Sequence, residues 1–110
     1  FLGGALAPGV EISLDALASR AAQLRKVEFV APRSVIAKNT VEALQSGALY
    51  GFAGQVDGIV TRIVAEIGEV SAVIATGGLA PVVIVESSTV TVHRPDLTLQ
   101  GLRLVFEKNT

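Results

Sequence analysis

The stretch from Asn39 to Gly68 contains no proline and constrains the fold of this chain more than any other feature. Asn39 and Glu42 have the spacing of a capping box, in which Asn39 caps the helix and the Glu42 side chain reaches back to the Asn39 N–H. Gly68 stands where a glycine commonly terminates a helix. The sequence therefore predicts one long helix between these two residues.

Helical geometry places two different stripes on opposite sides of this long helix. One face carries large apolar residues and predicts contact with a sheet or core. Each glycine on the other face costs roughly 1 kcal/mol relative to alanine, so a run of glycines needs a compensating close contact. The glycines either pack against another element inside an ordinary layered domain or pack against a partner chain or lobe. The large-residue face comprises Val41, Ala48, Leu49, Phe52, Val56, Ile59, Ile63 and Ile67, and the glycine stripe comprises Ala43, Gly47, Gly51, Gly54, Gly58 and Ala65.

Shorter strands and helices are predicted to alternate on both sides of the long helix. This alternation favours an α/β domain with a mixed, mainly parallel sheet flanked by helices. The predicted elements are a strand end at 1–6, a helix at 13–24 capped by Ser13, a strand at 27–31 ended by Pro32, a loop at 32–38, a central strand at 70–75, a helix at 79–85, a strand at 89–93, and a last helix at 97–108 capped by Asp96 with Leu102, Val105 and Phe106 facing inward.

Composition excludes several classes of function. A net charge of −1 gives no basic surface for nucleic acid, and the apolar runs are too short to cross a membrane. The absence of cysteine excludes disulfides and thiol chemistry, and no signal peptide is visible, so we expect a cytoplasmic protein. The 110 residues fit a single domain, but the chain begins with Phe1 and contains no methionine. We therefore expect a fragment that lacks its N-terminal half.

Two glycine pairs next to predicted strand ends are the best candidates for ligand binding. Gly3-Gly4 follows the first strand end, and Thr76-Gly77-Gly78 lies between a strand and a helix. Glycines expose backbone N–H groups, and ligands of open α/β sheets bind beyond the carboxyl ends of strands. A tight turn without a ligand is the alternative, because neither pair matches a known nucleotide fingerprint.

The start of the long helix is a second candidate. Free N–H groups, the Thr40 hydroxyl and the charge of Lys38 could bind a carboxylate or an amide, although simple capping by Asn39 also explains the sequence. His93 is the only histidine and has no Ser, Cys or second His in register, which favours a solvated or edge position. The sequence thus predicts binding loops without a complete catalytic set.

Four motifs, in this order and at these intervals, closely resemble the C-terminal half of type III pantothenate kinases. Ala37 is one departure, since glycine is expected before Lys-Asn-Thr in this family. The motifs are Gly3-Gly4-Ala5-Leu6-Ala7-Pro8-Gly9, then Lys38-Asn39-Thr40 with Ser46-Gly47, then Ala75-Thr76-Gly77-Gly78-Leu79-Ala80-Pro81, and finally Leu97-Thr98-Leu99-Gln100-Gly101-Leu102-Arg103 with Glu107-Lys108-Asn109.

The resemblance implies an actin-like (ribonuclease H-like) ATPase fold of two lobes, of which residues 1–110 form the second. It also implies ATP-dependent phosphorylation of pantothenate, the first step toward coenzyme A, with a divalent metal such as Mg²⁺ and a monovalent cation, K⁺ or NH₄⁺. Members of the family are homodimers with the substrate pocket near the dimer interface, which gives the glycine stripe of the 39–68 helix a candidate partner.

The resemblance assigns roles to individual residues. Thr40 matches a threonine that hydrogen-bonds pantothenate, with Asn39 beside it. Thr76, Gly77 and Gly78 occupy the place of the adenosine-side loop, while Gly3 and Gly4 follow the second phosphate motif. The first phosphate loop, the catalytic Asp and the cation-binding Asp are expected in the N-terminal half, so the fragment alone is expected to be inactive. A non-catalytic dimerisation or scaffold domain of the same fold, or another actin-like small-molecule kinase, remains an alternative.

Overall fold

The computed structural model describes residues 1–20, 27–77, 80–94 and 96–108. Helices dominate the described residues, and two short strands form a parallel pair. No helix within these ranges is long and apolar enough to cross a membrane. The elements are α1 (Val10–Arg20), α2 (Thr40–Ile67), β1 (Ile74–Ala75), α3 (Ala80–Glu86), β2 (Val92–His93) and α4 (Leu97–Lys108).

Both ends of the long helix α2 lie where the sequence predicts them. Asn39 is the N-cap, and its side-chain oxygen accepts a hydrogen bond of 2.8 Å from the Glu42 N–H. Gly68 adopts a φ of 90°, which favours glycine, and its N–H donates to the Val64 carbonyl at 2.8 Å. The Glu42 carboxylate differs from the prediction: it accepts from the Arg33 Nε at 2.7 Å, so it secures the preceding loop instead of completing the capping box.

The sheet consists of β1 and β2, which pair in parallel with Ile74 opposite Val92 and Ala75 opposite His93. Helix α3 connects them, so this region is a β–α–β unit, and the parallel pairing agrees with the sequence prediction. The prediction of a long central strand at 70–75 is wrong. Only two of its residues pair, and Ile74 is 55% exposed.

Two other predicted strands are absent from the described residues. Positions 1–6 and 27–31 have no regular secondary structure, although the second segment has the expected β-branched and aromatic residues. A strand is stable only beside a neighbouring strand, and within the described residues neither segment has one. Local composition therefore overstated the number of strands.

The first helix begins earlier than predicted. Helix α1 starts at Val10, and the Ser13 N–H donates to the Gly9 carbonyl at 3.1 Å. Ser13 is thus inside the first turn and is not the N-cap. The predicted end of this helix, at Leu24, lies outside the described residues. Pro81 occupies the first turn of α3 as expected, while Leu79, the predicted start of that helix, is also outside them.

The middle of α2 is the centre of the core. Leu49 is the most deeply buried large side chain, at 1% exposure. Ala53 of α2 forms an apolar cluster with Val10 of α1 and Val83 of α3, so both neighbouring helices pack against the same part of α2. The radius of gyration is 16.7 Å, against about 13 Å for a compact domain of this length. The chain therefore forms an open arrangement around one helix.

Two apolar faces are not covered by the described residues. Helix α4 begins and ends as predicted, but Leu102, Val105 and Phe106 are exposed, which contradicts their predicted inward position. The glycine stripe of α2 is also open, since a Cβ added at Gly47, Gly51, Gly54 or Gly58 would meet no atom of the described residues within 4 Å. The helical periodicity thus predicted which faces of α2 and α4 would pack against another element, but it did not predict what that element is.

Candidate functional site

The N-terminus of α2 presents free polar groups at the surface. Asn39, Thr40 and the preceding Lys38 are all exposed. The Asn39 side chain is already engaged by the Glu42 N–H, and the Asn39 carbonyl accepts from the Ala43 N–H at 2.9 Å. Among the described residues, nothing hydrogen-bonds the Thr40 hydroxyl. This hydroxyl is therefore available, at the positive end of the helix dipole, to bind a polar or anionic ligand.

Three hydrogen bonds hold the preceding loop against α2. The buried Ser46 hydroxyl donates to the Val35 carbonyl at 2.7 Å, and the Gln45 amide donates to the Glu28 carbonyl at 3.2 Å. Arg33 adds the ion pair to Glu42 at 2.7 Å. Burial of Gln45 and Ser46 is compatible with their polarity because both side chains are paired. The helix thus fixes the loop that delivers Lys38 and Asn39 to its N-terminus.

A second loop connects β1 to α3. Thr76 and Gly77 are exposed, whereas Gly78 lies outside the described residues. Gly77 has a φ of +111°, a conformation that residues with a side chain rarely adopt, and a Cβ at this position would meet open space. The backbone here is accessible to a ligand, as the glycine pair predicted.

The first glycine pair is also exposed. Gly3 adopts a φ of +140°, and a Cβ added at Gly3 or Gly4 would meet no atom of the described residues within 4 Å. The surrounding segment lacks regular structure.

The structure reveals one polar cluster that the sequence did not predict. The Asp57 carboxylate, on α2, accepts hydrogen bonds from three consecutive residues that follow α3, and we call this cluster the Asp57 clamp. Oδ1 accepts from the Ser87 and Thr89 hydroxyls, both at 2.6 Å, and from the Thr89 N–H at 3.2 Å. Oδ2 accepts from the Ser88 N–H at 3.0 Å and its hydroxyl at 3.1 Å. The clamp thereby joins residues about thirty positions apart in the chain.

The Asp57 carboxylate is stabilised by dipoles instead of an opposite charge. Neither ion pair found within the described ranges involves Asp57. The Ser87 hydroxyl, followed by the Ser88 N–H and the Thr89 hydroxyl, holds the pKa of the Asp57 carboxyl well below its usual range. A depressed pKa means that the charged form is the stabilising one, so the clamp is intact at neutral pH and weakens only in strong acid.

The sequence places Asp57 on a polar edge of the helix and indicates no role for it. One signal was present: Ser87, Ser88 and Thr89 supply three consecutive hydroxyls of the kind that close turns. Their pairing with Asp57 depends on the packing of α3 on α2, which no local pattern specifies.

Asp57 and Thr40 lie far apart along helix α2. Asp57 lies roughly 25 Å along the helix axis from Thr40, at 1.5 Å per residue. The clamp therefore lies at the C-terminal end of α3 and is remote from the Thr40 hydroxyl.

Metal ligation is not supported by the residues that the structure describes. They contain no group of three or more His, Asp or Glu side chains that could hold a metal ion. His93 is half-buried on β2, and its Nε2 atom is buried without a hydrogen-bond partner in the described part of the chain. Its place on a two-stranded sheet agrees with the predicted edge position, but it is less solvated than predicted.

Comparison with known proteins identifies the family. A family model described as type III pantothenate kinase matches residues 1–62, which include Gly3, Gly4, Asn39 and Thr40. The chain belongs to the type III pantothenate kinase family. The resemblance drawn from the four sequence motifs is thereby confirmed.

Curated relatives agree over almost the whole chain. A type III pantothenate kinase of Saccharopolyspora erythraea is 73% identical over 99% of this chain, and one of a Parafrankia species is 70% identical over 100% of it. One of Rhodococcus opacus is 62% identical over 99% of the chain. The chain spans only 43%, 44% and 42% of the length of these type III pantothenate kinases, respectively. Most of the length of such an enzyme therefore lies outside these 110 residues.

Proposed function

We propose that the protein containing this chain transfers the terminal phosphoryl group of ATP to pantothenate, giving 4′-phosphopantothenate for coenzyme A biosynthesis. The observation that carries the proposal is the family match across residues 1–62, which contain the open N-terminus of α2. Pantothenate has a carboxylate, an amide and hydroxyl groups, all of which suit a helix N-terminus with an unengaged hydroxyl.

The binding residues follow from the position of each loop. Thr40 would hydrogen-bond pantothenate, with Asn39 shaping the helix start through its cap. Thr76, Gly77 and Gly78 would contact the adenosine side of ATP, because the accessible backbone at Gly77 permits close approach. Gly3 and Gly4 would contribute backbone to the phosphate side. These contacts orient two substrates and supply no chemical group that reacts.

Phosphoryl transfer needs chiefly positioning and charge neutralisation, with an Asp that orients the attacking hydroxyl. The described residues contain no group of three or more His, Asp or Glu side chains that could hold a metal ion. We therefore assign the catalytic Asp, the first phosphate loop, Mg²⁺ and the monovalent cation to the remainder of the full-length enzyme. Residues 1–110 would form one domain, the second lobe of an actin-like ATPase fold, and the enzyme would act in the cytoplasm.

The test of this function compares the full-length enzyme with residues 1–110. The full-length enzyme is expected to release ADP only when both ATP and pantothenate are present, and mass spectrometry should detect 4′-phosphopantothenate. The isolated chain is expected to show no turnover, because it lacks the proposed base and the first phosphate loop. Turnover by residues 1–110 alone, or none by the full-length enzyme, would contradict the proposal. An actin-like kinase for another substrate would show ATP-dependent turnover of a different acceptor.

We further propose a homodimer formed through the 39–68 helix, with the glycine stripe facing the second subunit. Replacing Gly54 by leucine should then weaken the dimer, because the added side chain separates two closely packed backbones. Among the described residues no atom lies within 4 Å of a Cβ added at Gly54, and the substitution removes a helix penalty of about 1 kcal/mol. The expected result is a fall in molecular mass by light scattering without loss of helical content by circular dichroism.

Gly101→Leu is the matched control for the dimer test. It introduces the same side chain at a helical glycine of α4 that also faces open space, and it should leave the mass unchanged. If Gly54→Leu remains dimeric, the glycine stripe is not the subunit interface.

A further inference from the structure

We propose that Asp57 is a positioning residue for the nucleotide: it fixes helix α3 against α2 and so holds the Thr76–Gly77 loop in the geometry that binds ATP. The inference rests on the proposed function, because that loop is assigned to the adenosine side. It gives a purpose to the Asp57 clamp, which is separate from the residues proposed to contact either substrate.

The shape of the clamp requires a carboxylate. Five donors converge on two oxygens, and two of them are the N–H groups of the consecutive residues Ser88 and Thr89. An amide in place of the carboxylate would have one oxygen, and its NH₂ group would face the Ser88 N–H. Asparagine therefore retains the size of Asp57 but loses the two hydrogen bonds that Ser88 donates to Oδ2.

The clamp is the polar attachment at the C-terminal end of α3. Seven residues form this helix, which is too short to be stable in isolation. Its middle is attached through Val83, which packs against Ala53 of α2, and its C-terminal end is attached through Asp57. Without the clamp, α3 would keep its apolar packing around Val83 but would lose the polar attachment at its C-terminal end, which allows that end to shift.

The Thr76–Gly77 loop is sensitive to such a rotation because its two ends are held separately. The β1 side is fixed by the parallel ladder, in which the Arg94 N–H donates to the Ala75 carbonyl at 2.9 Å. The α3 side is fixed by Val83 and by the clamp. Movement of α3 would therefore change the backbone at Thr76 and Gly77, where the nucleotide is proposed to bind.

The experiment measures kcat and both KM values for Asp57→Asn in the full-length enzyme, together with the Kd of a non-hydrolysable ATP analogue by calorimetry. We expect the KM for ATP and the analogue Kd to rise about tenfold, while the KM for pantothenate stays within about twofold of wild type. Asp96→Asn is the matched control, because it removes the same charge from an exposed Asp whose side chain bonds only Gln100 among the described residues. It should change none of these constants.

A second variant covers the case in which Asp57→Asn fails to fold. Thr89→Val preserves side-chain volume and removes one 2.6 Å hydrogen bond, so it should raise the KM for ATP about threefold. Unchanged nucleotide constants in the folded variants, an equal rise in both KM values, or a fall in kcat alone would overturn the proposal. Asp57 would then stabilise the fold and not the loop. Calorimetry also separates the positioning role of Asp57 from the proposed kinase reaction. If the wild-type enzyme binds the analogue but does not phosphorylate pantothenate, the proposed reaction is wrong. The analogue Kd of the variants still tests the role of Asp57 in that case.

Discussion

Replacing Thr40 by alanine in the full-length enzyme is expected to raise the KM for pantothenate roughly 10- to 100-fold. Loss of one hydrogen bond from a buried substrate group costs about 1–3 kcal/mol, and each 1.4 kcal/mol corresponds to about tenfold. The KM for ATP should change little, because the nucleotide is assigned to the Thr76–Gly77 loop and not to the start of α2. Steady-state kinetics with each substrate varied in turn measures both effects.

The Thr40→Ala substitution is not expected to destabilise the fold, so a change in KM would report on substrate binding. Thr40 is exposed, and the helix cap comes from the Asn39 side chain, so alanine at position 40 leaves the cap in place. Alanine is also the stronger helix former. Thr40→Ser keeps the hydroxyl and should remain close to wild type, while Thr61→Ala removes an exposed threonine from the same helix and should have no effect. An unchanged pantothenate KM in Thr40→Ala would show that the assigned substrate role is wrong.

The helix that carries Thr40 was predictable because its signals are local. Asn39 and Gly68 delimit α2 through capping interactions that involve residues within one turn. The same holds for α4, whose bounds follow from Asp96 and the apolar spacing after it. Local signals also identified the accessible turn at Gly77, since a positive φ there is a property of a single residue.

The strands were overpredicted because pairing is not local. Residues 27–31 have the composition of a strand, yet in the described chain they lack a neighbouring strand and remain irregular. Likewise, the apolar spacing of α4 predicts a covered face, whereas Phe106 is 70% exposed. Such a pattern predicts that an apolar helix face is buried by packing. The residues that bury it can lie outside this chain or in a second subunit.

The Asp57 clamp marks the limit of sequence reasoning for the candidate site. An Asp within a helix and a Ser-Ser-Thr run thirty residues later are each ordinary surface features. The packing of α3 on α2, in which Val83 and Ala53 share one apolar cluster, brings them together. The exposed glycine turn at Gly77 could thus be predicted from residue type and spacing, whereas the contacts between α3 and α2 could not.

The second large effect is expected for Gly77→Ala, which should raise the KM for ATP by roughly 10- to 100-fold. A side chain at a φ of +111° costs about 1–3 kcal/mol unless the backbone changes. No atom in the described residues obstructs the new Cβ, so steric collision within the chain is not the cause. The loop would relieve the strain by changing its backbone angles, and that change moves the N–H groups proposed to meet the nucleotide. Calorimetry with a non-hydrolysable ATP analogue measures the loss directly.

Gly101→Ala provides the comparison that isolates backbone geometry. Gly101 also has open space around its Cβ position, but it lies within α4, where alanine is favourable by about 1 kcal/mol. Nucleotide affinity should therefore be unchanged in this variant and reduced in Gly77→Ala. The pantothenate KM should be preserved in both, because α2 holds Thr40 through contacts that do not involve the Gly77 loop. If Gly77→Ala binds the analogue as tightly as wild type, the positive φ at this position does not serve nucleotide binding. The adenosine site must then lie elsewhere in the enzyme.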